Sequence, residues 1–168
     1  MNKEIKVTII SAVAIVVLIS GIVVINEYFL PEAATQVDEP QSGNSTMSAE
    51  LIKVGEFSGK TGHHVSGTVK ILKDDQGYYL RFEDYEQTQG PDVYVYLTPA
   101  EDPDTTSEIE NGIKVLIDGG AEGGESTKVG NFNQRLPDNF DPNRYNGVAI
   151  WCDDFSVPFG AATLQSPS

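Results

Sequence analysis

The spacing of apolar residues divides this chain into three parts. From Val7 to Ile25 the sequence VTIISAVAIVVLISGIVVI contains no charged residue. At a rise of 1.5 Å per residue this run nearly spans the roughly 30 Å core of a bilayer. It also exceeds the roughly 7–15 apolar residues of a cleaved signal. A lone segment in lipid can satisfy its own backbone only as a helix, so the pattern predicts a transmembrane signal-anchor helix over 7–28. Lys3 and Lys6 precede the run, and Glu27, Glu32, Asp38 and Glu39 follow it. That asymmetry places residues 1–6 in the cytoplasm and everything after the helix outside. The expectation is a single-pass protein of the cell membrane, held by its N-terminal helix. The alternative, a secretory signal cut near Ala33-Ala34, exports the same domain.

Residues 29–49 are rich in Pro, Ser, Thr, Gln and acids, with few large apolar side chains after Leu30. Such a stretch buries too little to offset its ordering entropy and reads as a flexible linker. From residue 50 to 168 the period becomes two. Val69 and Ile71 alternate with polar neighbours; so do Tyr78, Leu80 and Phe82. Val93, Val95 and Leu97 share one face of a strand whose other face carries Tyr94 and Tyr96. Further strands are expected at 51–57, 112–117, 147–152 and 155–164. Between strands stand turn clusters such as 73–77, 89–92 and 118–120. The segments 98–111 and 119–145 read as loops, the second long enough to face a ligand. The prediction is an all-β domain, a single antiparallel β-sandwich or barrel-like fold, preceded by the transmembrane helix.

Charge and composition narrow the function. The chain has 25 acidic and 11 basic residues, a net charge of -14. Five of those acids and two of the bases precede residue 50, which leaves -11 on the domain. Nucleic acid is excluded as a partner, because phosphate is held by clustered Lys and Arg. One cysteine excludes an internal disulfide framework. No GxSxG, Walker, HExxH or CxxC pattern occurs, and a hydrolase has the least support.

Cys152 is the sharpest single feature. Alternation puts it on the face of Val148 and Ile150, as a small buried hydrophobe would be. A lone thiol in an exported domain can equally be a redox centre, a metal or haem ligand, or a link between two chains. Asp153 and Asp154 oppose its ionisation. His63 and His64 are the only histidines. On extended chain they point opposite ways, so one of them at most joins a given site; His63 with Cys152 is the metal-ligand candidate pair, for copper or haem iron. A plain turn between the first two strands accounts for both histidines as well. Asp92, after Gly90-Pro91, caps a turn or orients the histidine.

Four blocks in order resemble one family. They are His63-x-x-x-Gly67, then Gly90-Pro91-Asp92-Val93-Tyr94-Val95-Tyr96-Leu97, then Ile150-Trp151-Cys152-x-x-Phe155, and Phe159-Gly160-x-Ala162-x-Leu164. Together they look like the DM-thirteen domain, also called the electron-transfer DM domain, over about residues 51–165. The resemblance implies an extracellular, often membrane-tethered, all-β domain. It further implies that the cysteine of the Trp-Cys block, here Cys152, is a redox centre acting as a bare thiol or through a haem it holds. Trp151, Asp92 and His63 then become candidates for lining a cofactor, haem or copper. A redox protein is the expected partner. Arg135, before Leu136-Pro137, stands where similar proteins tend to carry an aromatic. The competing reading is a non-catalytic binding or adhesion module of the cell envelope, presenting Tyr94, Tyr96 and the acidic loops.

Overall fold

The computed structural model describes residue 17, residues 32–40 and residues 49–167. The apolar run 7–25 and the helix expected over 7–28 lie outside the described residues, save Val17; among the described residues no helix is long and apolar enough to cross a membrane.

The domain is a single nine-stranded sheet curled into a half-barrel, the barrel-like form of the expected all-β domain. Its strands are β1 (Thr35–Asp38), β2 (Glu50–Gly59), β3 (Val65–Asp74), β4 (Gly77–Gln87), β5 (Val93–Thr98), β6 (Ile113–Val115), β7 (Lys128–Arg135), β8 (Gly147–Cys152) and β9 (Val157–Thr163). Their order across the sheet is β1-β7-β4-β3-β2-β9-β8-β5-β6. Every pairing is antiparallel except that of β1 with β7. The curl brings residues far apart in this order into one core: Val69, Phe82 and Phe132 from one half pack with Val95, Ile150 and Cys152 from the other. Two contacts draw the margins together. The Asp118 amide donates to Gln134 Oε1 at 2.7 Å, and the Ser126 amide donates to the Val93 carbonyl at 2.8 Å.

A smaller cluster lies on the other face of β5 and β8, where Tyr96, Ala149 and Trp151 are covered by Ile109. Ile109 is carried by a one-turn helix, α1 (Thr106–Glu110), inside the segment expected as a loop. Thr105 and Glu108 form a capping box: the Glu108 carboxylate accepts from the Thr105 amide at 3.0 Å, which satisfies an otherwise orphaned donor. Five residues are too few to show a helical stripe in sequence.

Two expectations need correction. Residues 35–38, within the segment read as linker, form β1 and pair with β7. Glu39 anchors them: its carboxylate meets Lys128 Nζ at 2.7 Å and accepts from the Asn133 amide at 3.1 Å. The composition is that of a tether, but an existing strand edge supplies the hydrogen bonds that the segment lacks alone. Within 119–145, read as one loop, β7 fills the place between β4 and β1. Arg135, at its end, forks onto both carboxylate oxygens of Asp74 at 2.7 and 2.6 Å, and its guanidinium lies 4.8 Å from the Tyr79 ring centroid.

Candidate redox site around Cys152

Cys152 ends β8 opposite Val93 on β5 and Val157 on β9. Its side chain is on the core face with Val148 and Ile150 and is 1% exposed. The thiol donates to the carbonyl oxygen of Pro91 at 3.2 Å. The amides of Asp154 and Phe155, in the turn after β8, also point at the sulfur. That turn is fixed in its own right: the Asp153 amide donates to the Asp92 carbonyl at 2.9 Å. The sulfur is therefore enclosed by backbone of the β4–β5 loop and the β8–β9 turn.

Electrostatics keep it a thiol. Burial pushes the Cys152 pKa up, and the charges of Asp154 and Asp92 add to the rise, against the two amides that favour thiolate. Asp92 holds a left-handed backbone, φ 51°. Its carboxyl is pushed up, first by burial and then by the charge and hydrogen bond of Asp154, with Asp153 adding and Lys114 opposing. The Asp92 carboxyl thus holds a proton more readily than an isolated carboxylate would.

A third carboxyl joins them. Glu125 is 5% exposed and its Oε2 has no hydrogen-bond partner. Its pKa is pushed up to about 7, by burial first and then by Asp92, Glu32 and Glu122, against the Asp92 amide that favours the anion. Nothing in the Gly-rich stretch 119–124 marks Glu125 as buried. The signal lies in a polar network: Tyr85 donates its hydroxyl to Gln87, Gln87 donates to the Ser126 carbonyl, and the Ser126 hydroxyl donates to Gln87 Oε1 at 3.0 Å. That buried network ties the loop to β4 and so carries Glu125 to Asp92.

The other candidates divide. The His63 ring stacks on Phe159 with centroids 3.7 Å apart and planes 8° from parallel. Phe159 in turn covers Gly90, where a Cβ would come within 2.7 Å of the ring. Thus His63, Phe159, Gly90, Pro91 and Cys152 follow one another around the same end of the sheet. His64 is exposed, 3.3 Å from Ser66 Oγ. Trp151 faces away from Cys152, in the smaller cluster with Ala149 and Ile109. Tyr94, half-buried, and Tyr96, buried, share that outer face. Lys114 Nζ lies 3.7 Å from the Tyr94 ring centroid, and the buried Tyr96 hydroxyl donates to Asp153 at 2.8 Å.

A haem or copper centre does not suit this arrangement. The ring partner of His63 is Phe159, and the sulfur of Cys152 is taken up by Pro91 and the turn amides. Among the described residues no group of three or more His, Cys, Asp or Glu side chains is placed to hold a metal ion. A groove of about 610 Å³ lies elsewhere, between Val54, Ser58, Asp102, Ala161 and Thr163 on the outside of β2 and β9.

The four sequence blocks thus meet at one end of the sheet, and a family model, Electron transfer DM13, matches residues 56–164. The chain belongs to the Electron transfer DM13 family. In this DM13 domain the matched region runs from within β2 to the residue after β9. Comparison with curated proteins and with solved structures gave no match.

Proposed function

We propose that this DM13 domain acts in electron transfer outside the cytoplasm, anchored by the segment 7–28, with Cys152 as its redox group. One observation carries the reading: Pro91 and Phe155, from two of the family blocks, meet at the Cys152 sulfur, and Phe159, from a third, packs over the loop that carries Pro91. Pro91 accepts a hydrogen bond from the thiol at 3.2 Å, Phe155 and Asp154 direct their amides at the sulfur, and Phe159 closes the loop that holds Pro91.

A buried thiol that resists ionisation is a poor nucleophile and a poor partner for disulfide exchange. Its redox chemistry is therefore a coupled loss of one electron and one proton. The Cys152 S–H bond breaks, the electron passes to a one-electron-accepting metalloprotein, and a thiyl radical remains. The proton goes to the Asp92 carboxylate, whose affinity for it is raised by burial and by the charge of Asp154. Return of one electron and that proton restores the thiol. The hydrogen bond to Pro91 holds the sulfur in the thiol state, and the two amides, which donate toward it, remain to hold it in the radical state.

The test is a graded series of one-electron oxidants applied to the full-length chain and to Cys152→Ser, followed by electron paramagnetic resonance. The reading expects a sulfur-centred signal that the serine variant lacks. Signals that are the same in both proteins would assign oxidation to the tyrosines or to Trp151 and remove Cys152 from the role.

A further inference from the structure

Three residues after the thiol stands an exposed aromatic. Phe155 is 58% exposed, and it is carried on the turn whose amides face the Cys152 sulfur. Among the described residues of the domain only one other large apolar side chain is as open: Leu116, 52% exposed, which follows β6 and abuts Gly124. The turn is held by the bond from the Asp153 amide to Asp92, so Phe155 sits on a fixed base rather than a loose tip. The fold gains nothing from a phenylalanine there, since a serine would expose less apolar surface.

Acids surround this end. Asp92, Asp153 and Asp154 flank the turn, and the neighbouring loop adds Glu122 and Glu125, the latter's proton affinity raised by burial and by the charges of Asp92 and Glu122. The one lysine among them, Lys114, is paired with Asp153. An apolar projection ringed by negative charge rejects an anionic lipid surface and nucleic acid alike. Its complement is a protein with an apolar recess bordered by Lys or Arg.

We propose that Phe155 and the acids around it form the docking surface for a basic redox protein, which lands one turn away from Cys152. This rests on the redox reading for what is exchanged, while the place of landing follows from exposure and charge alone. Long-range attraction sets the rate of encounter, and Phe155 entering the recess sets the lifetime of the complex.

The test uses cytochrome c, a basic haem protein, and cytochrome c with its lysines acetylated as probes. Binding to the full-length chain in detergent is measured by calorimetry at low ionic strength, for wild type, Phe155→Ser, Glu122→Lys, Asp138→Lys and Cys152→Ser. Asp138 is exposed near the β3–β4 hairpin, at the other end of the sheet. The proposal expects Phe155→Ser and Glu122→Lys each to weaken binding of the native probe by about tenfold. It expects Asp138→Lys and Cys152→Ser to bind as wild type does, and the acetylated probe to bind far more weakly. No binding of the native probe, or equal losses in Glu122→Lys and Asp138→Lys with Phe155→Ser unchanged, would overturn it. Normal binding with no Cys152-dependent electron transfer would instead sink the redox reading and leave the docking surface standing.

Discussion

The thiol of Cys152 donates to the carbonyl oxygen of Pro91 at 3.2 Å, joining the end of β8 to the loop that begins β5. That bond, with the amides of Asp154 and Phe155, fixes the sulfur, which is 1% exposed. Its first consequence is kinetic. A disulfide-forming reagent needs an accessible thiolate, and this group is 1% exposed with its pKa raised by burial. Labelling of the native chain at pH 8 is expected to run at least about a hundredfold slower than in denaturant, since it waits for local opening. Equal rates in the two conditions would show that the sulfur is open to solvent.

Glu125 makes stability depend on pH in an unusual direction. Its folded pKa, about 7, is above the ordinary value of 4.5. The stability linked to this group is therefore fully present below about pH 4.5 and is lost as pH rises through 7. Glu125→Gln removes that loss. The variant is expected to be more stable than wild type at pH 8 by about 1–2 kcal/mol, with the difference narrowing toward pH 4.5. Urea unfolding at the two pH values measures it; a variant that is less stable at pH 8 would contradict the assignment.

Asp74 works the other way. Its hydrogen bonds from Arg135 hold the carboxyl below its ordinary value of 3.8. A depressed acid contributes stability above its unfolded pKa, and that contribution is lost as pH falls through the folded value. Asp74→Asn should thus be less stable than wild type at pH 7, with the gap closing below about pH 4. Thermal unfolding from pH 7 to pH 2 checks this, and a gap that persists at pH 2 would rule it out.

How much of this could be read from the sequence varies with the element. Strands β3, β4, β5 and β8 show their alternation because one face of each packs into the core. The side of Cys152, with Val148 and Ile150, followed from that period, and the structure bears it out. Strand β7 could not be seen, since only Val129 and Phe132 are apolar in KVGNFNQR. Its Lys128 and Gln134 are buried by partners distant in sequence, Glu39 and Asp118. The chemistry of the site divides on the same line. Cys152 and Pro91 lie in recognisable blocks, whereas Glu125 reaches Asp92 only because Gln87 and Ser126 pin its loop. Nor does the sequence tell that the His63 ring pairs with Phe159, 96 residues on.

Gly90 connects that stack to the thiol. Any Cβ at this position would press on Phe159 at 2.7 Å and on Val93 at 3.2 Å. Gly90→Ala is expected to destabilise the domain by about 1–3 kcal/mol and to displace the Phe159 ring. Loss of the ring-current shift on the His63 protons, read by nuclear magnetic resonance, reports the displacement. A variant with wild-type stability and unchanged His63 shifts would show that the loop yields instead.

The most direct measurement for the account as a whole counts electrons at one sulfur. The full-length chain and Cys152→Ser are oxidised in parallel by one-electron acceptors of increasing potential, and the radical formed is identified by paramagnetic resonance. The account predicts a sulfur radical in the wild type alone, formed more readily as pH rises because the proton must leave with the electron. Identical signals in the two proteins would contradict it.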